Sequence, residues 1–299
     1  MTGVAAGRCQ SLRFAGLLAV AVLLLPGCGA VKIAYNQAPD LAYWYFDGYA
    51  DFNSGQSLQI KADLARLQAW HRQTQLPGYA QLLQDAQRQV RGDISPAQAC
   101  VIFADARRKL LTVVERAEPS AALLAASLDA SQLQHLERRY AKGNAEYRED
   151  FLDGTPEAVR KRRLKKMISR AEMLYGRLDN PQTVLLGRML DQSRFDAART
   201  YAERLRRQRD ALDTLRQLVP VSAVEKGIKA AQAVNGLIER AANSPDAAYR
   251  DYAEKLTADN CKLFSEFHNT TSAAQRGKAA ATLSDYEKDA RALAEQGAN

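Results

Sequence analysis

From residue 54 to the end of the chain, apolar residues recur three and four apart, and nowhere do they alternate. Leu164, Met167, Ile168, Ala171, Leu174, Tyr175 and Leu178 make one stripe on one helical face. Leu133, Leu136, Tyr140, Tyr147 and Phe151 make a second, and Ala198, Tyr201, Leu205, Leu212, Leu215 and Val219 a third. Tyr249, Tyr252, Leu256, Leu263 and Phe267 repeat the pattern near the C-terminus. Each stripe needs a helix to cover it, because a sheet would require the two-residue period that this chain lacks. Short connectors favour antiparallel neighbours. The spacing predicts an all-α, antiparallel helical bundle of about eight to ten helices.

Helix starts are marked as well. Ser95-Pro96-Ala97-Gln98, Asp129-Ala130-Ser131-Gln132, Asp179-Asn180-Pro181-Gln182 and Ser272-Ala273-Ala274-Gln275 share one spacing. In such a capping box the first side chain accepts from the amide three residues on, while the glutamine reaches back to the N-cap amide. Pro96 suits the first helical position, where its missing N–H would have had no partner. Ser222-Ala223-Val224-Glu225 is the glutamate version. Leu128-Asp129-Ala130-Ser131-Gln132 and Leu178-Asp179-Asn180-Pro181-Gln182 also resemble the Leu-Thr-x-x-Gln motif of periplasmic helical chaperones and stress sensors, with Asp in place of Thr. That resemblance implies a chaperone-like or envelope-stress role. Helix capping accounts for the same residues without it.

The N-terminus carries an address. Arg8 and Arg13 precede an apolar run from Phe14 to Leu25, which Pro26-Gly27-Cys28 ends. The run is too short for a membrane span of roughly 20 residues and suits the apolar region of a signal peptide. Leu25-Pro26-Gly27-Cys28 resembles the bacterial lipobox, which implies cleavage before Cys28 and acylation of that cysteine, including a palmitate-like chain. More than one acyl chain makes such an anchor stable. Gly29 follows Cys28, where the lipoprotein pattern that retains proteins in the inner membrane has Asp. The expected location is therefore the inner leaflet of the outer membrane, facing the periplasm. Residues 1–27 read as the signal peptide, 28–34 as a lipidated tether and 35–299 as a single helical domain.

The compartment decides how the cysteines are read. Cys9 leaves with the signal peptide and Cys28 is acylated, so Cys100 and Cys261 remain. Two thiols in an oxidising compartment point to one disulfide, Cys100–Cys261, with a pair of separate buried thiols as the alternative.

Residues 35–52 concentrate aromatics: Tyr35, Tyr43, Trp44, Tyr45, Phe46, Tyr49 and Phe52, with Asp40, Asp47 and Asp51 among them. Near an acylated cysteine they would suit the membrane interface or a partner surface. Folding back over the bundle core is the simpler expectation, because exposed apolar patches of that size are uncommon. The run Ala34-Tyr35-Asn36-Gln37-Ala38-Pro39, with Leu41-Ala42-Tyr43-Trp44 and Asp47-Gly48-Tyr49, resembles an uncharacterised family of proteobacterial lipoproteins. So do Trp70-His71-Arg72-Gln73-Thr74-Gln75-Leu76-Pro77, Phe267-His268-Asn269-Thr270-Thr271 and Gln275-Arg276. The resemblance implies a lipoprotein with a helical fold, and no activity.

The remaining residues bear on function class. A quarter of the chain is charged and 46% hydrophobic, which is ordinary globular composition and excludes a multi-span membrane protein. Only three histidines are present, with no pair at zinc spacing and no Gly-x-Ser-x-Gly elbow, so no metal, cofactor or catalytic residue is expected. His71 lines up with Ile60, Leu64 and Leu67 as a boundary residue. His268 reads as a protonated side chain at a helix C-terminus, with Asn269 in the left-handed position after it. His135 falls on a polar face. The net charge of +8 is concentrated in Arg160, Lys161, Arg162, Arg163, Lys165, Lys166 and Arg170, and in Arg204, Arg206, Arg207 and Arg209. In an exported protein these do not meet nucleic acid; anionic lipid or peptidoglycan would be the polyanion. A solvated face balanced by Glu157, Glu172 and Glu203 is the simpler expectation. The expected function is a non-enzymatic binding or scaffold lipoprotein that contacts the membrane through Cys28 and an envelope partner through Tyr43, Trp44, Arg160, Arg163 and Lys166. A chaperone-like role comes second and an envelope hydrolase third.

Overall fold

The computed structural model describes residues 29–296. Their helices are α1 (Ala30–Asn36), α2 (Ala38–Ala50), α3 (Ser54–Trp70), α4 (Leu76–Gln89), α5 (Pro96–Ser127), α6 (Ala130–Phe151), α7 (Pro156–Tyr175), α8 (Asn180–Gln192), α9 (Ala197–Leu218), α10 (Ala223–Ala242), α11 (Ala247–Asn269) and α12 (Ala273–Glu295). A π-helical turn, His71–Gln75, joins α3 to α4, and Gln37 keeps helical angles between α1 and α2. The twelve segments therefore form ten rods (12 − 2). No strand occurs among the described residues, and the all-α bundle is the architecture that the periodicity requires. The expected signal peptide, residues 1–27, and Cys28 lie outside the described residues.

The π-turn has a local cause. In a continuous α-helix the ring of Pro77 would press on the carbonyl of Gln73 and supply no N–H to it. The helix widens instead, and the Leu76 amide donates to the His71 carbonyl five residues back. The widened turn receives α1. His71 Nδ1 lies 2.9 Å from the Tyr35 hydroxyl, Gln68 Nε2 donates to the Tyr35 carbonyl and Arg72 donates to Asn36 Oδ1 at 2.8 Å. Lys32 reaches Asp289 of α12 at 3.6 Å. Residues 30–34, expected as a tether, thus belong to the folded domain, and only Gly29 separates this docked helix from Cys28.

The 32 residues of α5 span about 48 Å at 1.5 Å per residue, despite the internal Pro119. Its C-terminal half packs on α10 through Ala122, Ala125, Ala230 and Val234. Its N-terminal half packs on α11 through the Cys100–Cys261 disulfide and the Phe103–Phe264 ring contact. So α10 and α11 run end to end along α5, and their junction lies against the middle of it. The most extensive helix pair is α4 with α12, antiparallel, with Leu76 and Ala80 against Ala290 and Leu293. Apolar burial is divided into three clusters, the largest around Ile94, Tyr175, Met189, Cys261 and Phe267.

What ties distant corners together is a pair of polar clasps. The expected capping boxes form at Ser95, Asp129, Asp179 and Ser272, and a further one forms at Asn53–Gln56. The Ser222 box does not form. Four of the boxes then meet in pairs. Gln56 and Gln132 exchange amide hydrogen bonds at 3.2 and 2.7 Å, as Gln182 and Gln275 do at 2.7 and 2.8 Å. Each amide also donates to the end of the helix that precedes its partner's helix: Gln56 to Ser127, Gln132 to Ala50, Gln182 to Thr270 and Gln275 to Arg177. Both clasps follow the same reciprocal scheme. Gln56, Gln132 and Gln182 are buried, and their hydrogen-bonding capacity is met within the clasp.

The C-terminal turn of α11 holds the connector between α4 and α5. Ser265 Oγ and Asn269 Nδ2 donate to the Ile94 carbonyl, and the Ile94 amide donates to Asn269 Oδ1 at 2.9 Å. His268 is fully buried, with Nε2 at 2.8 Å from the Gly92 carbonyl and Nδ1 at 2.8 Å from the Tyr175 hydroxyl. A carbonyl accepts only, so Nε2 carries the proton and Nδ1 accepts from Tyr175, whose pKa burial pushes up to about 12. The expectation of a protonated His268 is corrected. Burial holds its pKa below 6.5, and the upward pull of the Gly92 carbonyl does not overcome this. The left-handed position expected for Asn269 is also absent: Asn269 ends the helix itself and Thr270 follows with φ −88°.

A pH dependence follows. The unfolded chain binds a proton at His268 near pH 6.5, while the folded chain does so only at lower pH. Stability is therefore complete above 6.5 and falls below it by up to about 1.4 kcal/mol per pH unit. Urea unfolding at pH 7.5 and 5.5 will show a larger loss for the wild type than for His268→Gln. Equal losses would mean that His268 does not fold as a neutral buried imidazole.

Candidate functional site

The junction of α10 and α11 against α5 leaves a hollow of about 950 Å³. Its charged lining is Arg107, Arg108, Arg207 and Arg250 against Glu254, a net of +3 (4 − 1). Arg107 Nη2 donates to the Ala242 carbonyl at 3.1 Å, and Arg250 Nη1 to the Ser244 carbonyl at 2.6 Å. Each guanidinium has five N–H donors in a planar fork, and these contacts orient the fork without neutralising it. Arg108 is paired with Asp105 on its own helix. Cys100 of the disulfide also lines the hollow, whereas Cys261 is fully buried.

A second hollow of about 390 Å³ adjoins the first and shares Arg207 and Tyr249 with it. Tyr45 and Tyr49 of α2, Tyr140 of α6 and Arg204 of α9 complete its aromatic and basic lining. The two hollows meet at Arg207 and Tyr249 and together form a trough from α2 to the disulfide, its polar lining mostly arginine and, towards α2, tyrosine. Burial raises the pKa of Tyr140 and Tyr249, so both present neutral hydroxyls.

Beneath the shared wall lies a carboxylate network. Glu203 is 5% exposed and accepts from Arg206 at 2.8 and 2.9 Å, from Arg207 at 2.8 Å and from Ser244 at 3.2 Å. Burial opposes its charge, but the hydrogen bonds from Arg206 and Arg207 outweigh that and hold its pKa below the usual carboxylate range. Asp210 extends the network through Arg240, whose Nε lies 2.9 Å from Asp210 Oδ2. The network sets the position of Arg207 at the junction of the two hollows.

The residues expected to bind a partner are placed otherwise. Arg160 makes a paired contact with Asp191 at 2.6 and 2.7 Å. The guanidinium of Arg163 lies 4.6 Å from the centre of the Phe195 ring, and its partial burial lowers its pKa. Lys166 is 2.7 Å from Asp150 and sits over Phe151. Arg162 donates to the Glu149 and Asp153 carbonyls. Arg160, Arg162 and Lys166 thus fasten α7 to α6 and α8 through Asp191, backbone carbonyls and Asp150 instead of the expected Glu157 and Glu172. Glu203 does balance Arg206 and Arg207 of the second run. Tyr43 faces inward, donating to Ser57 at 3.0 Å with Lys61 over its ring. Arg160 and Lys166 are paired but still exposed, and Trp44 is 68% exposed. His135 bonds the Gly48 carbonyl at 3.2 Å.

The aromatic segment does not cap the core as a whole. Tyr49 packs on Tyr140 and Phe52 on Tyr43, but α2 has no buried residue, and Trp44, Tyr45 and Phe46 are exposed. Among the described residues no group of three or more His, Cys, Asp or Glu side chains is arranged to hold a metal ion. None of their helices is long and apolar enough to cross a membrane.

Fold and site together define an all-α domain with an open, basic and aromatic trough. The chain belongs to a family of unknown function, DUF6279, which matches residues 48–224. That span runs from the end of α2 to the start of α10 and contains Arg107, Arg108, Tyr140, Arg204 and Arg207 of the trough. No curated protein and no solved structure matches the chain significantly.

Proposed function

We propose that the protein is a lipoprotein anchored through Cys28 in the outer membrane, facing the periplasm, and that it works by binding an acidic segment of an envelope protein in the trough. The observation that carries this is the concentration of arginine and tyrosine along one open groove. These residue types dominate the energetic centres of protein interfaces, and an arginine fork matches a carboxylate in two hydrogen bonds. The partner surface moves accordingly from the α7 cations to Arg107, Arg207, Tyr249 and Arg250. Non-enzymatic binding needs no further group than these side chains provide. The Leu-Asp-x-x-Gln boxes, the ground for a chaperone-like role, are occupied in the two clasps.

The test is photo-crosslinking in cells from a reactive amino acid placed at Tyr249. One dominant envelope protein should be captured, and Arg107→Glu with Arg250→Glu should reduce its capture about tenfold, the loss of two charge-assisted contacts. A broad smear of exported proteins would instead favour a chaperone, and capture unchanged by the charge reversals would reject the trough. Cys28→Ser should release the protein from membranes; retention would reject the lipid anchor alone.

A further inference from the structure

The face of α1 and α2 that points away from the bundle is apolar and aromatic. Ile33, Leu41, Trp44 and Tyr45 are 54%, 51%, 68% and 61% exposed. With Gln37 they fall at intervals of three and four along two nearly continuous helices, so they share one side. From Ile33 to Tyr45 this side measures about 18 Å. Charge is largely kept off it. Lys32 turns to Asp289, and Asp47 accepts from the Phe52 amide at 3.0 Å, so Asp40 is the charged residue that remains beside Trp44. The face begins four residues after Gly29, and α1 is fastened to the body by Tyr35, Asn36 and Lys32. Whatever holds Cys28 must therefore lie beside this face.

We infer that the α1–α2 face lies in the bilayer surface, with Trp44 and Tyr45 at the headgroup level and Ile33 and Leu41 beneath them, so that the domain has a fixed orientation on the membrane. The inference rests on the lipid-anchor reading. Trp and Tyr favour this depth because the ring is apolar and its N–H or O–H needs a polar partner. Tyr45 also lines the trough, so the mouth of the trough opens at the membrane surface and its partner is met there.

The test uses the mature full-length protein purified from membranes, with intact mass reporting acylation of Cys28. It is reconstituted in vesicles of phosphatidylethanolamine and phosphatidylglycerol containing a phosphatidylcholine brominated on its upper acyl carbons. Tryptophan emission is compared between the wild type and Trp44→Phe, so that Trp70 cancels. The exposure of Trp44 makes that substitution harmless to folding. Bromolipid should quench about half or more of the emission assigned to Trp44, as it does for an interfacial ring. An acylated protein that floats with the vesicles while Trp44 stays unquenched would overturn the membrane-facing inference and leave the anchor standing. A mass without acyl chains would overturn both.

Discussion

Removing the Cys100–Cys261 bridge, as Cys100→Ser with Cys261→Ala, should lower stability by about 2–5 kcal/mol, the usual cost of losing a native disulfide. The bridge closes a separation of 161 residues, for which chain entropy alone gives about 5 kcal/mol. It also joins α5 to α11 at the edge of the largest apolar cluster, beside Phe103 and Phe264. Thermal unfolding should begin roughly 5–10 °C lower in the double variant. Reductant present during unfolding should produce the same change in the wild type and none in the variant. A wild-type transition indifferent to reductant would show that the bridge does not stabilise the protein.

Gln182→Leu should cost about 2–3 kcal/mol, more than a lost helix cap. Leucine keeps the volume but leaves the Asp179 amide, the Thr270 carbonyl and one side of the Gln275 amide without partners at a half-buried corner. Each such group carries a desolvation cost of about 1–3 kcal/mol when fully buried, partly relieved by water because Asp179 and Thr270 are exposed and Gln275 is half-buried. Gln132→Leu should behave alike at the other clasp. Gln98→Leu is the control. Gln98 completes the Ser95 box but is exposed and meets no second box, so its loss should cost no more than about 1 kcal/mol. A urea midpoint series separates the cases, and the Gln182→Leu/Gln275→Leu pair should be markedly less than additive. Equal costs at Gln98 and Gln182 would reduce the clasps to ordinary caps.

The two clasps explain why the chain needs no single large core. Three apolar clusters, each bounded by a few helices, would allow the corners between them to slip. Reciprocal glutamine pairs specify those corners geometrically, because an amide that loses its partner in a buried site has no second choice. The stretches that resemble the lipoprotein family have comparable duties. Trp70 to Pro77 makes the widened turn that receives α1, and Phe267 to Thr271 clamps the α4–α5 connector. Arg276 adds a contact to Asp93 at 2.6 Å in the same corner. These two stretches hold the fold together, while Tyr49 of the Asp47-Gly48-Tyr49 stretch lines the trough.

Local rules were legible in the sequence wherever the interaction spans three or four residues. The helical period, the Ser95, Asp129, Asp179 and Ser272 boxes and the position of Pro96 all depend on neighbours within one turn. Cysteine arithmetic reached Cys100–Cys261 because, after Cys9 and Cys28, those two residues remained. The exposure of Trp44 beside the inward-facing Tyr43 was not legible, since an aromatic helix face looks the same in sequence whether or not another helix covers it. The pairing of the basic run on α7 is hidden from the sequence for a related reason. Charge density is visible in one dimension, but the carbonyls and carboxylates of Glu149, Asp150, Asp153 and Asp191 that absorb it come from other elements. Glu203, expected on a solvated face, is instead a buried hub.

By itself the sequence determined an all-α chain and the places where several of its helices start. Tertiary structure alone decided that α10 and α11 abut end to end on α5 and open a basic trough there. It also decided that four capping boxes meet as two clasps, across 76 and 93 residues. Capping and periodicity are energies of one turn, written in adjacent residues. A trough or a clasp is a coincidence of surfaces far apart in the chain, and it has no energy until the helices have packed.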